Sequence, residues 1–401
     1  MLWSDNTERW VTVKRGKFTL LVDVKRLEAG DNGGGMYEAH GKYFPGHDTP
    51  PQLFRVMKTL REIQTEAKKQ GKSLSWSLST LGQETGIQKD QCLQIPLVRI
   101  KIGKCDNQPK KILILSGVHS REWPAQEVTL MLMSQLLNYE QSMLAVGGHL
   151  RRNDKLSQGT IIDIVPVVSL FGFLYCLSGP DRAVQIETSE DTEEGEGEGE
   201  GEGEDPYTFY NSRSKKRVPS RDNRTVSPGG CDLNRNYPHN WGRDVGCSHT
   251  LGEEDYCGPH PASESETQAI MELVKRNKYN LTMDIHSFGD FVVMPPCYNA
   301  SKSLPLNSEP FLTSLKVAEL APPILFPHLK GTPDGTVPKK LYPCAGSFVD
   351  YCIFGARTKS MTMELGGDVG GFSADHLPTQ HSKMAMPHRI ITLLNTVYDI
   401  I

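Results

Sequence analysis

From about residue 41 onward, short apolar runs alternate with amphipathic segments, and this alternation leaves few folds open to the chain. The apolar runs include Leu97–Ile102, Ile112–Leu115 and Ile161–Val167, each of strand length. The segments between them carry apolar residues at helical spacing. Strands that are buried on both faces read as continuous apolar runs and are joined by crossover helices. The pattern predicts an α/β fold, a single domain with a mixed, mostly parallel central sheet flanked by helices.

Composition limits the class of protein. The chain has 401 residues, of which 37% are hydrophobic and 23% are charged, and this excludes collagen-like, coiled-coil and wholly disordered chains. The formal net charge of −4 argues against nucleic acid as a partner. No apolar run approaches the roughly 18 residues of a membrane span, so we expect no membrane partner.

Two segments differ in composition from the rest. Residues 1–40 are mostly polar and predict an N-terminal extension, too short for a full propeptide, before a main domain at 41–401. The insertion at 187–205 carries eleven acidic residues, largely as a Gly-Glu repeat. Charge repulsion and glycine entropy predict that it is disordered. The chain begins without the apolar core of a signal peptide, whereas nine scattered cysteines and three glycosylation-type sequons favour secretion, so the compartment stays open.

Local signals predict several element boundaries in the second half of the chain. Ser263 and Glu266 have the spacing of a capping box before an amphipathic helix. Further helices are expected at Phe311–Leu320 and Arg389–Tyr398, and a strand at Ser360–Glu364.

The first chemical motif pairs His119 with Glu122, just before a helix that Pro124 opens. This spacing lets an imidazole and a carboxylate meet one ion, and zinc accepts both kinds of ligand. His286 is the best candidate for a third ligand because it lies near the end of the apolar run Leu281–Ser287, and ligands gather at the carboxyl ends of strands. The motif is weak by itself, since the chain has twelve histidines.

Two other segments carry polar groups that can bind a carboxylate or accept a proton. Asn234 and Arg235 are adjacent, and a guanidinium grips a carboxylate with two parallel hydrogen bonds. Asp232 can orient His119, as zinc-bound histidines usually require. Glu364 ends an apolar strand, where a carboxylate beside zinc can take a proton from water. Each has an ordinary alternative, a structural arginine in a turn or a solvated strand end.

Together these segments resemble the zinc carboxypeptidases of the pancreatic type. The resemblance runs from about Tyr43 to the C-terminus. Its motifs, in chain order, are Gly117–Trp123, Asp232–Tyr237, Gly258–Thr267, Ile285–Ser287, Tyr342–Gly346 and Thr362–Leu365. Several matches in the right order are far more specific than any one of them.

The resemblance implies a function and a role for each residue. The chain would be a monomeric metallocarboxypeptidase, secreted like members of the family, that removes the C-terminal residue of peptides or proteins with one zinc ion per chain. His119, Glu122 and His286 would bind zinc, and Glu364 would be the general base. Further residues would bind the substrate at its terminal carboxylate and at its scissile carbonyl. The residues implied there are Asn234, Arg235 and Tyr342 at the carboxylate, Arg121 along the groove, and Arg221 at the carbonyl with Arg217 as its alternative.

Specificity and departures from the family complete the expectations. Ungapped matching from Tyr342 puts Val349 at the floor of the side-chain pocket, which favours apolar or aromatic C-terminal residues; a shift of one position to Asp350 would favour basic ones. The family's Asn-Pro-Asp-Gly-Tyr run is largely absent after Val167, and Phe288 replaces a tyrosine.

Two other functions stay open. The missing signal motivates a cytosolic zinc amidohydrolase or deglutamylase. An inactive binding homologue is the non-enzyme reading, but such a protein would normally lose a ligand or Glu364, and this chain keeps all of them.

Overall fold

The computed structural model describes residues 10–15, 18–23, 53–87, 94–106, 108–120, 122–139, 154–170, 172–173, 185–186, 218–219, 230–243, 246–251, 253, 255–287, 289–298, 307–329, 338–340, 342–366 and 380–401. Arg121, Arg217 and Arg221, together with Phe288 and the insertion at 187–205, lie outside these residues. Their predicted roles and the predicted disorder therefore stay predictions.

The described residues form strands and helices in alternation. The strands are β1 Trp10–Arg15, β2 Phe18–Asp23, β3 Trp76–Thr80, β4 Pro96–Ile102, β5 Lys110–Ser116, β6 Thr160–Val165, β7 Gln185–Ile186, β8 Val218–Pro219, β9 Gly230–Cys231, β10 Leu281–Ser287, β11 Phe291–Val292 and β12 Ser360–Leu365. The helices are α1 Leu53–Lys69, α2 Leu81–Thr85, α3 Trp123–Leu137, α4 Ser265–Asn277, α5 Glu309–Leu320, α6 Pro322–Leu325, α7 Phe348–Asp350 and α8 Gln380–Val397, with a π-helical turn at Tyr351–Gly355 after α7.

Seven strands form the central sheet, in the order β11-β12-β10-β5-β6-β4-β3. The pairs β12/β10, β10/β5 and β5/β6 are parallel. Strand β4 is antiparallel to both β6 and β3, so β3 runs in the same direction as β6. Only β4 and β11 oppose the other five strands of this sheet. The predicted mixed, mostly parallel sheet is confirmed.

Helices cover both faces of the sheet. All seven residues of β10 are buried, and alternate side chains of a strand point to opposite faces, so both faces are covered. Helix α3, with Pro124 in its first turn, packs against β10, β5 and β12 and against α8. Helix α5 packs on β12. Among the described residues, no helix is both long and apolar enough to cross a membrane.

Some of the predicted helix boundaries are wrong. The capping box at Ser263 does not form, because α4 begins at Ser265 after Glu264 and the Ser263 hydroxyl is hydrogen-bonded to Asn236 and Glu264. A real capping box lies at Thr80 and Gln83, where α2 begins, and the sequence analysis missed it. Helix α8 begins at Gln380, nine residues before the predicted Arg389, and contains Pro387.

The N-terminal segment pairs with a later part of the chain. Strands β1 and β2 are antiparallel, and β2 also pairs with the two-residue β7, which directly precedes the acidic insertion.

Candidate metal centre

Three neighbouring parallel strands bring the candidate metal ligands to one edge of the sheet. His286 lies near the carboxyl end of β10, and β10 is flanked by β12 and β5. His119 follows three residues after the end of β5, and Glu122 is the last residue before α3. Because the carboxyl ends of parallel strands meet at one edge, residues far apart in the chain converge there.

The side chains of His119, Glu122 and His286 are buried and in mutual contact. One ligand atom from each lies within 4.8 Å of the others. Glu122 Oε1 is 2.6 Å from His119 Nδ1, and Glu122 Oε2 is 2.9 Å from His286 Nδ1. The two Nδ1 atoms are 3.2 Å apart, so both point to one place. The trio expected from the sequence therefore comes together.

A carboxylate contacts the Nε2 atom of each histidine, on the side of the ring away from Glu122. His119 Nε2 is 3.1 Å from Asp232 Oδ1, the contact expected from the sequence, and His286 Nε2 is 2.8 Å from Asp284 Oδ2. A carboxylate accepts the Nε2–H proton and leaves a lone pair on Nδ1. Two neutral imidazoles in that tautomer aim two lone pairs at the same point, an arrangement suited to a metal ion.

Electrostatics favour a cation at this point. Burial would raise the pKa of the Glu122 carboxyl, but the charges of His119 and His286 outweigh it and hold that pKa well below its usual range. Burial opposes charging of His286, but Asp284 and Glu122 raise its pKa well above the ordinary value. The buried carboxylates thus favour positive charge between them.

The net charge of the buried groups also favours a cation at this point. Among the described residues, the cluster contains three buried carboxylates, Glu122, Asp232 and Asp284, and one buried guanidinium, Arg235. With both imidazoles neutral, these four groups carry two net negative charges, which a divalent cation neutralises. The residues present therefore fit a zinc ion bound by two nitrogens and a carboxylate.

Arg235 lies beside this cluster and is almost fully enclosed. Its Nε donates to Gly246 O at 2.5 Å, its Nη2 to the Tyr342 hydroxyl at 3.2 Å, and its Nη1 lies 3.7 Å from Asp232 Oδ2. Burial lowers the pKa of Arg235, but the negative charge of Asp232 more than offsets this and raises it. The guanidinium is therefore a fixed positive charge whose most exposed partner is the Tyr342 ring.

Asn234 and Tyr342 both contact this guanidinium, Asn234 through its backbone oxygen, which accepts from Arg235 Nη1 at 3.0 Å. Asn234 is half-buried, and its side-chain oxygen accepts a hydrogen bond from the backbone of Phe348 at 2.9 Å. Tyr342 is 56% exposed, and its ring centroid is 5.9 Å from the guanidinium carbon of Arg235. The structure brings all three predicted carboxylate-binding residues together, with Tyr342 on the outside.

Glu364 lies next to the metal trio on the neighbouring strand. It pairs in register with His286 across the parallel β10/β12 ladder and with Phe291 across the antiparallel β11/β12 pair. Residues directly opposite in a ladder project to the same face, so Glu364 and His286 share one face. It is half-buried, whereas its neighbours Met363 and Leu365 are buried.

Val349 is buried within an apolar cluster, whereas its neighbour Asp350 is buried outside that cluster. The cluster combines Val349 with Cys344, Tyr298, Phe354 and other apolar side chains. Both carboxylate oxygens of Asp350 instead accept the backbone N–H of Cys297, at 3.1 and 3.0 Å.

Asp284 is the residue that the sequence analysis missed. A usable signal was present, because Asp284 stands two positions before His286 within an otherwise apolar run and so shares its face of the strand.

The chain is similar to known zinc carboxypeptidases. A family model described as zinc carboxypeptidase matches residues 93–379. Carboxypeptidase O of Bos taurus is 27% identical over 212 residues, which are 52% of this chain and 45% of that protein. Carboxypeptidase B of Rattus norvegicus is 26% identical over 286 residues, 68% of this chain and 55% of that protein. The chain thus spans about half the length of these relatives.

Solved structures share the fold. The carboxypeptidase A of Helicoverpa armigera superposes with a TM-score of 0.59 at 18% sequence identity, covering 95% of this chain and 84% of that one. Since the family model spans most of the chain and its fold is shared, the chain belongs to the zinc carboxypeptidase family.

Proposed function

We propose that this protein is a zinc-dependent metallocarboxypeptidase that hydrolyses the C-terminal peptide bond of peptides or proteins. The observation that carries the proposal is the convergence of the His119 and His286 Nδ1 atoms with the Glu122 carboxylate. A buried arginine lies beside them. Membership of the zinc carboxypeptidase family supports the same chemistry.

His119, Glu122 and His286 are the proposed zinc ligands, one ion per chain. A bound zinc ion lowers the pKa of a water and polarises a carbonyl. Asp232 holds the imidazole of His119 in the required tautomer through the Nε2 contact described above.

Glu364 is the proposed general base. Its register position opposite His286 and its partial exposure allow its carboxylate to reach an attacking water. Glu364 would accept a proton from that water and pass it to the amine nitrogen as the peptide bond breaks. Two arginines outside the described residues keep their sequence-based roles in this proposal, Arg121 along the groove and Arg221 at the scissile carbonyl.

Asn234, Arg235 and Tyr342 are proposed to bind the terminal carboxylate of the substrate. Arg235 offers a buried, permanently charged guanidinium, and the exposed Tyr342 hydroxyl is already hydrogen-bonded to it. A carboxylate arriving from solvent meets this charge first at the Tyr342 side. Recognition by a guanidinium makes the free carboxylate a requirement, which is the property that defines an exopeptidase acting at the C-terminus.

The proposed preference is for apolar or aromatic C-terminal side chains. Val349 belongs to an apolar cluster, and the neighbouring carboxylate of Asp350 is engaged with the Cys297 backbone. An engaged, buried carboxylate is not available to pair with a lysine or arginine side chain.

The test is peptide hydrolysis by the purified chain with zinc. A blocked dipeptide ending in phenylalanine should be cleaved at least about 10-fold faster, in kcat/KM, than the lysine and glutamate versions. The C-terminal amide of the same dipeptide should be cleaved about 100-fold or more slowly, because it lacks the charge that Arg235 recognises.

A chelator should abolish activity, and added zinc should restore it. Equal cleavage of amide and free acid would refute the carboxypeptidase assignment. Faster hydrolysis of acylated amino acids or glutamylated peptides would favour the amidohydrolase or deglutamylase. Hydrolysis of none of these substrates by zinc-loaded protein would favour the inactive homologue.

A further inference from the structure

The carboxylates behind the two histidines are not equivalent. Asp232 is shared, because its Oδ1 also accepts the backbone N–H of Asn234 at 2.9 Å and its Oδ2 lies 3.7 Å from Arg235 Nη1. Asp284 contacts His286 Nε2 at 2.8 Å through Oδ2. Its Oδ1 is buried and has no hydrogen-bond partner among the described residues.

The strand itself fixes the geometry of the Asp284 contact. Asp284 and His286 are separated by one residue on β10, so their side chains project from the same face. Both are buried to within 1% of full enclosure. Asp284 is paired on both sides, with β5 and β12, and His286 is paired with β12, so neither backbone position can shift without disturbing the sheet.

An enclosed carboxylate that is not shared with a cation acts more strongly on its one partner. In a low-dielectric interior, a charge-assisted hydrogen bond is stronger than in water. A carboxylate accepting the Nε2–H of an imidazole fixes the tautomer and makes Nδ1 a stronger donor to a metal.

We propose that Asp284 is a positioning residue of the zinc centre, holding His286 with its Nδ1 toward Glu122 and His119 and strengthening it as a ligand. The inference rests on the proposed function, since it concerns the same ion. Asp284 does not bind the ion itself; it acts on the ion only through His286.

The experiment measures the zinc affinity of the 401-residue chain by competition with a chromophoric chelator. Asp284→Asn keeps the size of the side chain and an acceptor oxygen but removes the charge, and zinc should bind roughly 10- to 100-fold more weakly. The visible bands of the Co²⁺-substituted variant should shift relative to wild type, which loss of packing away from the ion would not cause.

Thr282→Val is the matched control. Thr282 lies on the same strand and face, is buried, and donates a hydrogen bond to Ser360 Oγ at 2.7 Å. It is two residues further from His286, so this variant should keep wild-type zinc affinity and cobalt bands. Loss of affinity in Thr282→Val as large as in Asp284→Asn would overturn the inference, because it would trace the effect to the strand.

Three results separate the inference from the proposed function. Asp284→Asn binding zinc within twofold of wild type would overturn only the role of Asp284. Wild-type protein that takes up no zinc would overturn both. In zinc-loaded wild-type protein, imidazole nitrogen NMR should find zinc on Nδ1 and the proton on Nε2 of His286; zinc on Nε2 would overturn the inference without any variant.

Discussion

At the scale of single residues, metal binding and proton transfer are assigned to different side chains. Glu364 shares a face with His286 but is not one of the three side chains whose ligand atoms converge. Metal binding and proton transfer are therefore expected to respond to different substitutions.

Glu364→Gln should lower kcat by about 10²- to 10⁴-fold while leaving one zinc ion bound per chain, because the amide cannot accept a proton. Steady-state kinetics and metal analysis of the same sample measure the two effects. Glu319→Gln, an exposed position on α5, is the control and should keep wild-type kcat. An active Glu364→Gln enzyme would disprove the base assignment.

Some of these residues could be predicted from the sequence, and others could not. His119 and Glu122 were predicted from spacing, because a single turn holds both. Asp284 was not predicted because it lies within an apolar run, and such a run indicates a buried strand without marking which polar residue in it has a role. The strand period of two does place it on the face of His286.

At the scale of elements, α7 and the segment that it contacts show how a buried carboxylate joins two parts of the chain. Asp350 lies at the end of α7 and accepts the backbone N–H of Cys297 with both oxygens. Burial raises the pKa of Asp350 to about 7, against an ordinary value of 3.8, although the Cys297 N–H opposes the shift.

This shift predicts a pH dependence of stability. A carboxyl whose pKa is raised on folding stabilises the folded state below about pH 4, and this contribution is lost as the pH rises to about 7. Asp350→Asn removes the ionisable carboxyl and therefore this loss of stability. The unfolding free energy of the variant minus that of wild type should therefore increase from pH 4 to 7, by at most about 1.4 kcal/mol per pH unit. Urea unfolding at several pH values measures it, and a difference that is flat with pH would contradict the shift.

Element boundaries were predicted less well than element types. The apolar runs that became β5, β6 and β10 were recognised because buried strands are continuous in hydrophobicity. Helix α4 begins after Glu264 without a side-chain cap, because Asn236 donates to the Ser263 hydroxyl and accepts the Glu264 backbone N–H in place of a local cap. Local sequence patterns carry no information on such long-range partners.

At the scale of the whole molecule, the ion should connect separate parts of the fold. Its proposed ligands come from the loop after β5 and from β10, and Asp232 anchors a third segment. The class of sheet was predictable from alternation, but the order of its strands was not, because pairing between distant segments leaves no local mark.

Zinc should therefore stabilise the folded chain. A free zinc concentration 100 times the dissociation constant adds about 2.7 kcal/mol to the unfolding free energy, which should raise the Tm by several degrees. Differential scanning calorimetry with buffered zinc measures the rise. His286→Ala should lose most of it, and an equal rise in that variant would show that zinc acts elsewhere.

The most direct measurement is anomalous diffraction at the zinc absorption edge from crystals grown with zinc. The account predicts one strong peak, about 2.0–2.2 Å from Nδ1 of His119, Nδ1 of His286 and a carboxylate oxygen of Glu122. A peak away from these three atoms, or none in a zinc-saturated crystal, would contradict it.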